Sequence, residues 1–310
     1  MSLTRKVLRT HLSNNNVEHE LRRIIDNLAV SAKFIAFEVR KSNRKTSNTT
    51  NMYGETQLEL DTLSDYIIQE RIGYETSFKI KEFASEEKDH IIEFHTDNGS
   101  YSITVDPLDG SSLVDVDLTV GTIFGIHYGN ILNNKPGKES LVAAMYILYG
   151  PQTTLVYSAG KGTHEFVLNE VGSWVLSQEN IELNEKGKIY SPGGLRKDWF
   201  REHKEFIEKL EEEGYKLRYS GSFVADANQI LMKKGGIFTY PKLTNREEGK
   251  LRMLFELQPL AFIFENAGGC ATNGLENILD ITISELGQRS PAYIGSRYEV
   301  ELAKLYLTNN

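Results

Sequence analysis

Residues 103–126 have the sequence ITVDPLDGSSLVDVDLTVGTIFGI, in which two apolar, β-rich runs flank a short polar turn. Asp106 and Asp109 lie three residues apart in that turn, and Pro107 restrains the backbone between them. Carboxylates placed in this way suit the coordination of a hard divalent cation. The next residues offer backbone N–H groups that can approach an anion closely, and they are Gly110, Ser111 and Ser112. The segment therefore predicts a metal site beside a phosphate-binding turn.

The charge balance and the single cysteine narrow the classes of protein to consider. With 35 basic and 43 acidic residues, the 310-residue chain carries a net charge of −8, which argues against a nucleic-acid partner. Cys270 is the only cysteine, so an intramolecular disulfide is excluded. The N-terminal segment lacks the apolar core of a signal peptide, and no window is apolar enough for a membrane span. We therefore expect a cytoplasmic protein without a membrane partner.

The pattern of apolar residues predicts two halves. Helices are expected over residues 17–40 and 52–72, the second of which brings Asp61 inward. Residues 41–51 contain no apolar side chain and indicate either a solvated linker or a loop that closes over a site. Strands dominate up to about residue 168, and helices and strands alternate after residue 187. The pattern predicts an N-terminal metal- and phosphate-binding half, residues 1–186, and a C-terminal α/β half, residues 187–310.

Several further carboxylates lie beside apolar runs. A charged carboxylate in such surroundings is costly unless it binds a cation or accepts hydrogen bonds. Taken singly, each could be a surface charge or a helix cap. Taken together they favour a cation site for phosphate-ester hydrolysis, and the set comprises Asp61, Glu86, Glu87, Asp106, Asp109 and Glu256.

An ordered set of motifs extends this pattern over roughly residues 18–307. It includes the sequences SEE, DPLDGSS, GTIFG and KLRMLFELQP, and it occupies residues 54–63, 85–87, 106–112, 121–125, 149–150, 218–226, 236–238 and 250–269. DPLDGSS resembles the signature of the lithium-sensitive sugar and inositol phosphatases. The ordered set resembles the class I fructose-1,6-bisphosphatases and their sedoheptulose-1,7-bisphosphatase relatives. The resemblance implies an α/β fold, a layered αβαβα sandwich of the sugar phosphatase type.

The resemblance also assigns roles to individual residues. It implies that Mg²⁺, or Mn²⁺ as the alternative, is held by Glu86, Asp106, Asp109, Glu256 and the carbonyl group of Leu108. Glu87 resembles the group that orients and deprotonates the attacking water, with Asp61 close by. The phosphate that is removed would be held by the amides of Gly110, Ser111 and Ser112.

A second phosphate would be bound at the far end of the substrate. Tyr219, Tyr240 and Lys250 match positions that hold it, and Arg218 matches one that reaches it from a neighbouring subunit. Arg252 would be a further cation near the sugar. Without the resemblance, these residues could be strand aromatics and a solvated charged face. The implied reaction removes the C1 phosphate of a ketose bisphosphate in a homodimer or homotetramer.

Some positions depart from the fructose-bisphosphatase pattern. Tyr66 stands where an aspartate is usual, and Leu113 stands where an asparagine commonly follows DGSS. Arg196 lies in a segment that normally supplies an asparagine and a tyrosine to the far phosphate, and it could replace those contacts. The sequences SPGGLR and GTHEF are more similar to the sedoheptulose branch. The substrate therefore stays open between fructose-1,6-bisphosphate, sedoheptulose-1,7-bisphosphate and both.

The nucleotide site of the family is also altered. The corresponding positions carry no lysine or arginine and include an added acid, so we expect weak or absent inhibition by AMP; they are Glu18, His19, Glu20, Ser100, Tyr101 and Tyr128. Two other functions are compatible with part of this pattern. An inositol-phosphate or nucleotide 3′-phosphatase is disfavoured by the far-phosphate set, and a non-catalytic sugar-phosphate sensor is disfavoured by the complete carboxylate set.

Overall fold

A computed structural model describes residues 6–41, 46–50, 56–74, 80–94 and 99–308. Within these ranges the helices are α1 (Leu8–Asn14), α2 (His19–Lys41), α3 (Glu59–Tyr74), α4 (Gly137–Ser140), α5 (Arg201–Glu212), α6 (Phe223–Met232), α7 (Gln258–Asn266) and α8 (Arg297–Thr308). The strands are β1 (Thr46–Thr50), β2 (Thr56–Leu58), β3 (Ile80–Ser85), β4 (Ile92–Glu93), β5 (Tyr101–Asp109), β6 (Val120–Tyr128), β7 (Leu141–Tyr149), β8 (Thr153–Ser158), β9 (His164–Leu168), β10 (Trp174–Gln178), β11 (Ile189–Pro192), β12 (Lys216–Leu217), β13 (Ile237–Tyr240), β14 (Leu251–Arg252), β15 (Cys270–Thr272), β16 (Arg289–Ser290) and β17 (Ala292–Gly295).

The larger sheet has eight strands in the order β10-β9-β8-β7-β6-β5-β3-β4. Its neighbours are antiparallel except for β3 and β5, which run parallel. Because β3 and β5 run parallel, their carboxyl ends meet at one edge of the sheet. This pairing brings the segment that begins at Glu86 beside the turn that begins at Asp106, and the amide of Glu86 donates to the carbonyl of Val105 at 2.9 Å.

Alternate side chains of the larger sheet enter two different cores, as the period of a strand requires. On β7, Met145 and Ile147 pack with α1, α2 and α3, whereas Tyr146 and Leu148 pack with α6 and α7. Both faces of the sheet are therefore covered by helices, which explains why β5 and β7 contain almost no exposed residue.

The second sheet completes the layering. It has five strands in the order β12-β11-β13-β17-β15, and one face packs on α6 and α7 through Phe238 and Ile294. Its other face packs on α5 and α8 through Ile237 and Tyr293. The order of layers is helices, sheet, helices, sheet, helices, so the predicted αβαβα sandwich is confirmed.

Two local predictions near the N-terminus need correction. Residues 46–50, expected in a linker or closing loop, form β1 and pair with β2; residues 42–45 and 51 lie outside the described residues. In the helix predicted over residues 52–72, residues 56–58 form β2 instead and the helix begins at Glu59, while residues 52–55 lie outside the described residues. Thr56 has a low helix propensity, so the helical pattern of the later residues does not extend back to it.

The boundary between residues 186 and 187 stays a proposal. The strands of the larger sheet end at Gln178 and those of the second sheet begin at Ile189, which supports it. The core between the two sheets draws residues from both sides of this boundary, so we expect the halves to form one folding unit. Among the described helices, none combines the length and apolar character needed to cross a bilayer.

Candidate active site

The DPLDGSS turn is fixed by hydrogen bonds of its own backbone. Asp106 and Asp109 end the buried strand β5. The N–H of Leu108 donates to Oδ1 of Asp106 at 3.0 Å, and the hydroxyl of Thr122 on β6 donates to the carbonyl of Pro107 at 2.8 Å. The two carboxylates therefore have defined positions in the structure.

Gly110 follows in the left-handed conformation, with φ of 76°. A Cβ at this position would lie 2.6 Å from Cβ of Ser222, so both the backbone angle and the space require glycine. A 3₁₀-helix begins at Ser111 and runs to Val116. The first N–H groups of such a helix have no acceptor within it, so they form a site where an anion can bind.

The carboxylate of Asp109 is held from a distant part of the chain. The hydroxyl of Ser222 donates to its Oδ2 at 2.6 Å, and the N–H of Val224 donates to the same oxygen at 2.9 Å. Ser222 is the N-cap of α6, and its hydroxyl also accepts from the N–H of Ala225. The N-terminus of α6 thus stabilises the negative charge of Asp109.

Glu256 reaches the same place from the opposite side of the site. It lies in a π-helical turn, residues 253–257, between β14 and α7, and its Oε2 accepts from the N–H of Arg252 at 2.6 Å. Oxygen atoms of Asp106, Asp109 and Glu256 all lie within 4.8 Å of one another. Three buried carboxylates at this separation form a candidate metal centre.

The electrostatics of this cluster favour a cation. Burial, followed by the charges of Asp109 and Glu256, raises the pKa of Asp106 well above its ordinary value. Burial also raises the pKa of Asp109, against the hydrogen bond from Ser222. Burial, with the charge of Asp109, raises the pKa of Glu256 to about 7. In the protein alone the three charges oppose one another, and a bound divalent cation would remove this penalty.

Glu86 and Glu87 follow β3 directly. The N–H of Glu87 donates to the hydroxyl of Ser85 at 3.3 Å, and Oε1 of Glu86 makes an ion pair with Arg252. The other oxygen of Glu86, Oε2, is buried without a hydrogen-bond partner. Such an atom is costly in a protein interior and is one that a metal ion would satisfy. Arg252, predicted near the sugar, lies in the site but directs its guanidinium at Glu86.

These groups line one cavity of about 330 Å³, which we call the cleft. The predicted residues in its lining are Asp61, Glu86, Glu87, Asp106, Leu108, Asp109, Gly110, Ser111, Ser112, Tyr219, Tyr240, Lys250, Arg252 and Glu256. Asp61 reaches it from the first turn of α3 and is only 5% exposed. Tyr66 is 58% exposed and Asp65 pairs with Lys88 at 2.5 Å, and neither belongs to the described lining of the cleft.

The lining of the cleft also carries hydroxyl and ammonium donors. The ammonium group of Lys250 lies 5.7 Å from the ring centre of Tyr240. Burial, together with the charge of Tyr240, raises the pKa of Tyr219 to about 12. Tyr219 therefore keeps its proton at neutral pH and can donate a hydrogen bond to a phosphate oxygen.

Two of the predicted substrate contacts, Arg196 and Arg218, are not in the described lining of this cleft. A guanidinium nitrogen of Arg196 donates to Glu208 at 2.7 Å, and the group lies 5.7 Å from the ring centre of Trp199, so Arg196 does not line the cleft. Arg218 is exposed beside β12 and donates to the carbonyl of Leu217. A role for Arg218 across a subunit boundary stays a prediction.

Sequence reasoning missed some residues of the cleft. Arg289 lines it from β16, where it faces Arg252 in the β14–β16 pair and donates to the carbonyl of Lys250. Nothing in its local sequence distinguishes it from a surface arginine. The serine that holds Asp109 does have a local signal, because Ser222 precedes an apolar helical run as an N-cap does.

Comparisons with known proteins match one family over almost the whole chain. The family model described as "Fructose-1-6-bisphosphatase, N-terminal domain" matches residues 1–179, and that of the C-terminal domain matches residues 183–308. A class 1 fructose-1,6-bisphosphatase of Geobacter sulfurreducens is 49% identical over 97% of this chain and 95% of its own length. One of Campylobacter hominis is 42% identical over 90% of this chain and 96% of its own length.

Solved structures with closely similar folds cover almost the whole chain. Fructose-1,6-bisphosphatase of Leishmania major in its holo form superposes with a TM-score of 0.91 at 31% identity, covering 98% of this chain and 99% of that one. A Toxoplasma gondii protein provisionally named a sedoheptulose-1,7 bisphosphatase has a TM-score of 0.91 at 28% identity, covering 99% of both chains.

Proposed function

This chain belongs to the fructose-1,6-bisphosphatase family and is a phosphoric monoester hydrolase, and we propose that it removes the C1 phosphate of a ketose bisphosphate. One observation carries the proposal. A single cleft is lined by three buried carboxylates, by the Gly110 turn and by the side chains of Tyr219, Tyr240 and Lys250. With a divalent cation held by the carboxylates, this lining would suit a substrate that carries two phosphate groups.

The donor set of the cleft fits a divalent cation with a preference for oxygen. Glu86, Asp106, Asp109, Glu256 and the carbonyl of Leu108 would hold it, and no histidine or cysteine is in the described lining. Such a set suits Mg²⁺, with Mn²⁺ as the alternative. When bound, the ion supplies charge neutralisation for the phosphate oxygens and acidifies water.

Each remaining group has a role that its position supports. The amides of residues 110–112 bind the phosphate that is removed, since they lie at the start of the 3₁₀-helix beside the carboxylates. Glu87 orients and deprotonates the attacking water, assisted by Asp61, which also lines the cleft. Tyr219, Tyr240 and Lys250 bind the far phosphate and so fix the orientation of the sugar.

The identity of the sugar is a separate question. Curated relatives are named fructose-1,6-bisphosphatases, whereas one structural neighbour carries a sedoheptulose name. We propose fructose-1,6-bisphosphate as a substrate and keep sedoheptulose-1,7-bisphosphate as the second. Both place a phosphate on the primary hydroxyl of a ketose, and they differ in the length that the far end must accept.

Phosphate release from the two bisphosphates, measured side by side with Mg²⁺, tests the function. We expect kcat/KM for one or both to exceed by at least 100-fold the values for an inositol monophosphate and a nucleoside 3′,5′-bisphosphate. Higher activity on either of the latter would favour the inositol-phosphate or nucleotide reading. Saturable binding of the ketose bisphosphates with no release of phosphate would favour the sensor.

The oligomeric state and the response to AMP are proposed from different observations. We propose a cytoplasmic homodimer or homotetramer in which the exposed Arg218 reaches the cleft of a neighbouring subunit.

Weak or absent inhibition by AMP is supported by Glu18. Its carboxylate accepts hydrogen bonds from the N–H groups of Glu20 and Leu21 and from the hydroxyl of Tyr101. A nucleotide phosphate would be repelled by this acid.

A further inference from the structure

Glu86 and Glu87 lie in the middle of a tight turn that follows β3. The N–H of Lys88 donates to the carbonyl of Ser85 at 3.1 Å, so the two glutamates are the central residues of that turn. The sheet fixes the first end of the turn, because Ser85 is fully buried at the end of β3. The other end is Lys88, and Asp89 beyond it is already exposed. The position of Glu87 therefore depends on how Lys88 is held.

An ion pair holds Lys88 against helix α3. Its ammonium group lies 2.5 Å from Oδ2 of Asp65, a residue that is only 3% exposed. The other oxygen of Asp65, Oδ1, is buried without a hydrogen-bond partner. Separating a buried carboxylate from its cation is strongly unfavourable. This pair therefore constrains Lys88 more than an ion pair between two exposed side chains would.

Asp65 lies on the face of α3 that carries Asp61. The two aspartates are four residues apart on this helix and both are buried, so they lie on the same side of it. Ile68 and Ile72 continue the buried face. Asp61 lines the cleft, and so does Glu87. The ion pair thus joins the helix that carries Asp61 to the turn that carries Glu87.

Glu86 is held independently of this pair. Its N–H donates to the carbonyl of Val105 at 2.9 Å, and its carboxylate pairs with Arg252. Loss of the ion pair is therefore expected to displace Glu87 more than Glu86, although the two residues are neighbours in the chain.

We propose that Lys88 and Asp65 are positioning residues that hold Glu87 in the orientation in which it activates the attacking water. Neither residue belongs to the described lining of the cleft, so both act through Glu87 rather than on the substrate. A misplaced base lowers the rate of the chemical step more than the affinity for the substrate. The inference rests on the proposed function, since it concerns the residue that activates water in that reaction.

Steady-state kinetics of four variants test the proposal. Asp65→Asn and Lys88→Met each remove one charge, the double variant Asp65→Asn/Lys88→Met removes both, and Lys88→Arg keeps the pair. Lys138→Gln is the matched control, since the exposed Lys138 pairs with Asp280 at 2.8 Å. The assay contains Mg²⁺ and whichever ester the wild type hydrolyses fastest among the two ketose bisphosphates, the inositol monophosphate and the nucleoside 3′,5′-bisphosphate.

We expect kcat of the double variant to fall by roughly tenfold or more, while KM and the Mg²⁺ concentration for half-maximal rate change by less than about twofold. Each single variant should show a similar fall, because the two residues act as one unit. Lys88→Arg and Lys138→Gln should keep at least about half of the wild-type kcat. Added to Glu87→Gln, the double change should lower kcat by less than about twofold, since the group that the pair positions is already lost.

Three results would overturn the proposal. Wild-type kcat in the folded double variant would show that the pair only stabilises the protein. A raised KM at unchanged kcat would place the pair in substrate binding, and a raised Mg²⁺ requirement would mean that it acts through Glu86. If Lys88→Met fails to fold, as judged by its thermal midpoint, the double variant decides, because it leaves no buried charge unpaired. Wild-type preference for the inositol or nucleoside ester would overturn the proposed substrate alone, since the variants still decide the role of the pair.

Discussion

The cleft and a cavity of about 570 Å³ between α1, α2 and α3 are two concave surfaces of one chain with opposite charge. The cleft is lined by several carboxylates, three of which are buried close together, whereas the other cavity is lined by guanidinium groups from three helices. We call this second surface the arginine cavity, after Arg9, Arg22, Arg23 and Arg71. Helix α3 contributes to both, because Asp61 lies in its first turn and Arg71 in its last. The comparison teaches that the net charge of −8 describes neither surface, since each has its own local field.

The largest effect expected is on the chemistry of the cleft. Glu87→Gln removes the proposed base with little change in shape, so we expect kcat to fall by about 10²- to 10⁴-fold, measured by phosphate release. Glu93→Gln is the matched control, because Glu93 is exposed on β4. Full activity of Glu87→Gln would refute the assignment of the base.

A backbone change should have the next largest effect. Gly110→Ala places a Cβ 2.6 Å from Ser222 at a left-handed position, so we expect kcat/KM to fall roughly 10- to 100-fold through displacement of the phosphate-binding turn. Gly172→Ala provides the control, since Gly172 has a similar φ of 77° and no atom within 4 Å of the added Cβ. Equal effects of the two changes would indicate backbone strain alone.

Ser222→Ala tests how much the Ser222 hydroxyl, which donates a hydrogen bond to Asp109, contributes to the stability of the protein. The variant loses the N-cap of α6 and one donor to Asp109, so we expect the free energy of unfolding to fall by about 2 kcal/mol. Urea denaturation of the variant and of Ser177→Ala, an exposed serine on β10, measures the difference. A loss equal to that of Ser177→Ala would mean that the Val224 amide alone suffices to hold Asp109.

The smallest effect is on the pH dependence of the free energy of unfolding, and it depends on Asp226. This buried carboxyl group on α6 accepts a hydrogen bond from the N–H of Ser220, the residue after Tyr219. Burial raises its pKa to about 6, above the value of 3.8 for the unfolded chain. The stability from this group is therefore complete below the unfolded pKa and is lost as pH rises through 6. Between pH 8 and pH 5 we expect wild type to gain about 1.4 kcal/mol relative to Asp226→Asn. The arginines of the cavity do not titrate in this window, so a gain of the same size in Asp226→Asn would exclude Asp226 as its source.

The difference between the two surfaces also explains what the sequence could predict. The ends of β3 and β5 carry their carboxylates in compact motifs beside apolar strands, and a short window therefore indicates a metal and phosphate site. The layered fold followed from the alternation of elements and from the family resemblance. Asp61, Glu86, Glu87 and Glu256 were placed together because they occur in a characteristic order.

Other features depend on contacts between distant parts of the chain. The hydrogen bond from Ser222 to Asp109 joins residues 113 positions apart, and the pairing of Arg252 with Arg289 joins β14 to β16. Arg196 does not line the cleft, and its guanidinium group pairs with Glu208 on α5, a contact that the local sequence does not indicate. The arginine cavity had no motif at all, since its members belong to three helices whose packing no local pattern specifies.

The most direct test of the central claim is the dependence of phosphate release on a divalent cation. Fructose-1,6-bisphosphate is incubated with wild type and with Asp109→Asn, in Mg²⁺ and in EDTA. We predict rapid release by the wild type in Mg²⁺, none above background in EDTA, recovery when Mg²⁺ is restored, and strongly reduced release by Asp109→Asn. Equal rates in Mg²⁺ and EDTA would contradict the claim that the buried carboxylates of the cleft act through a bound cation.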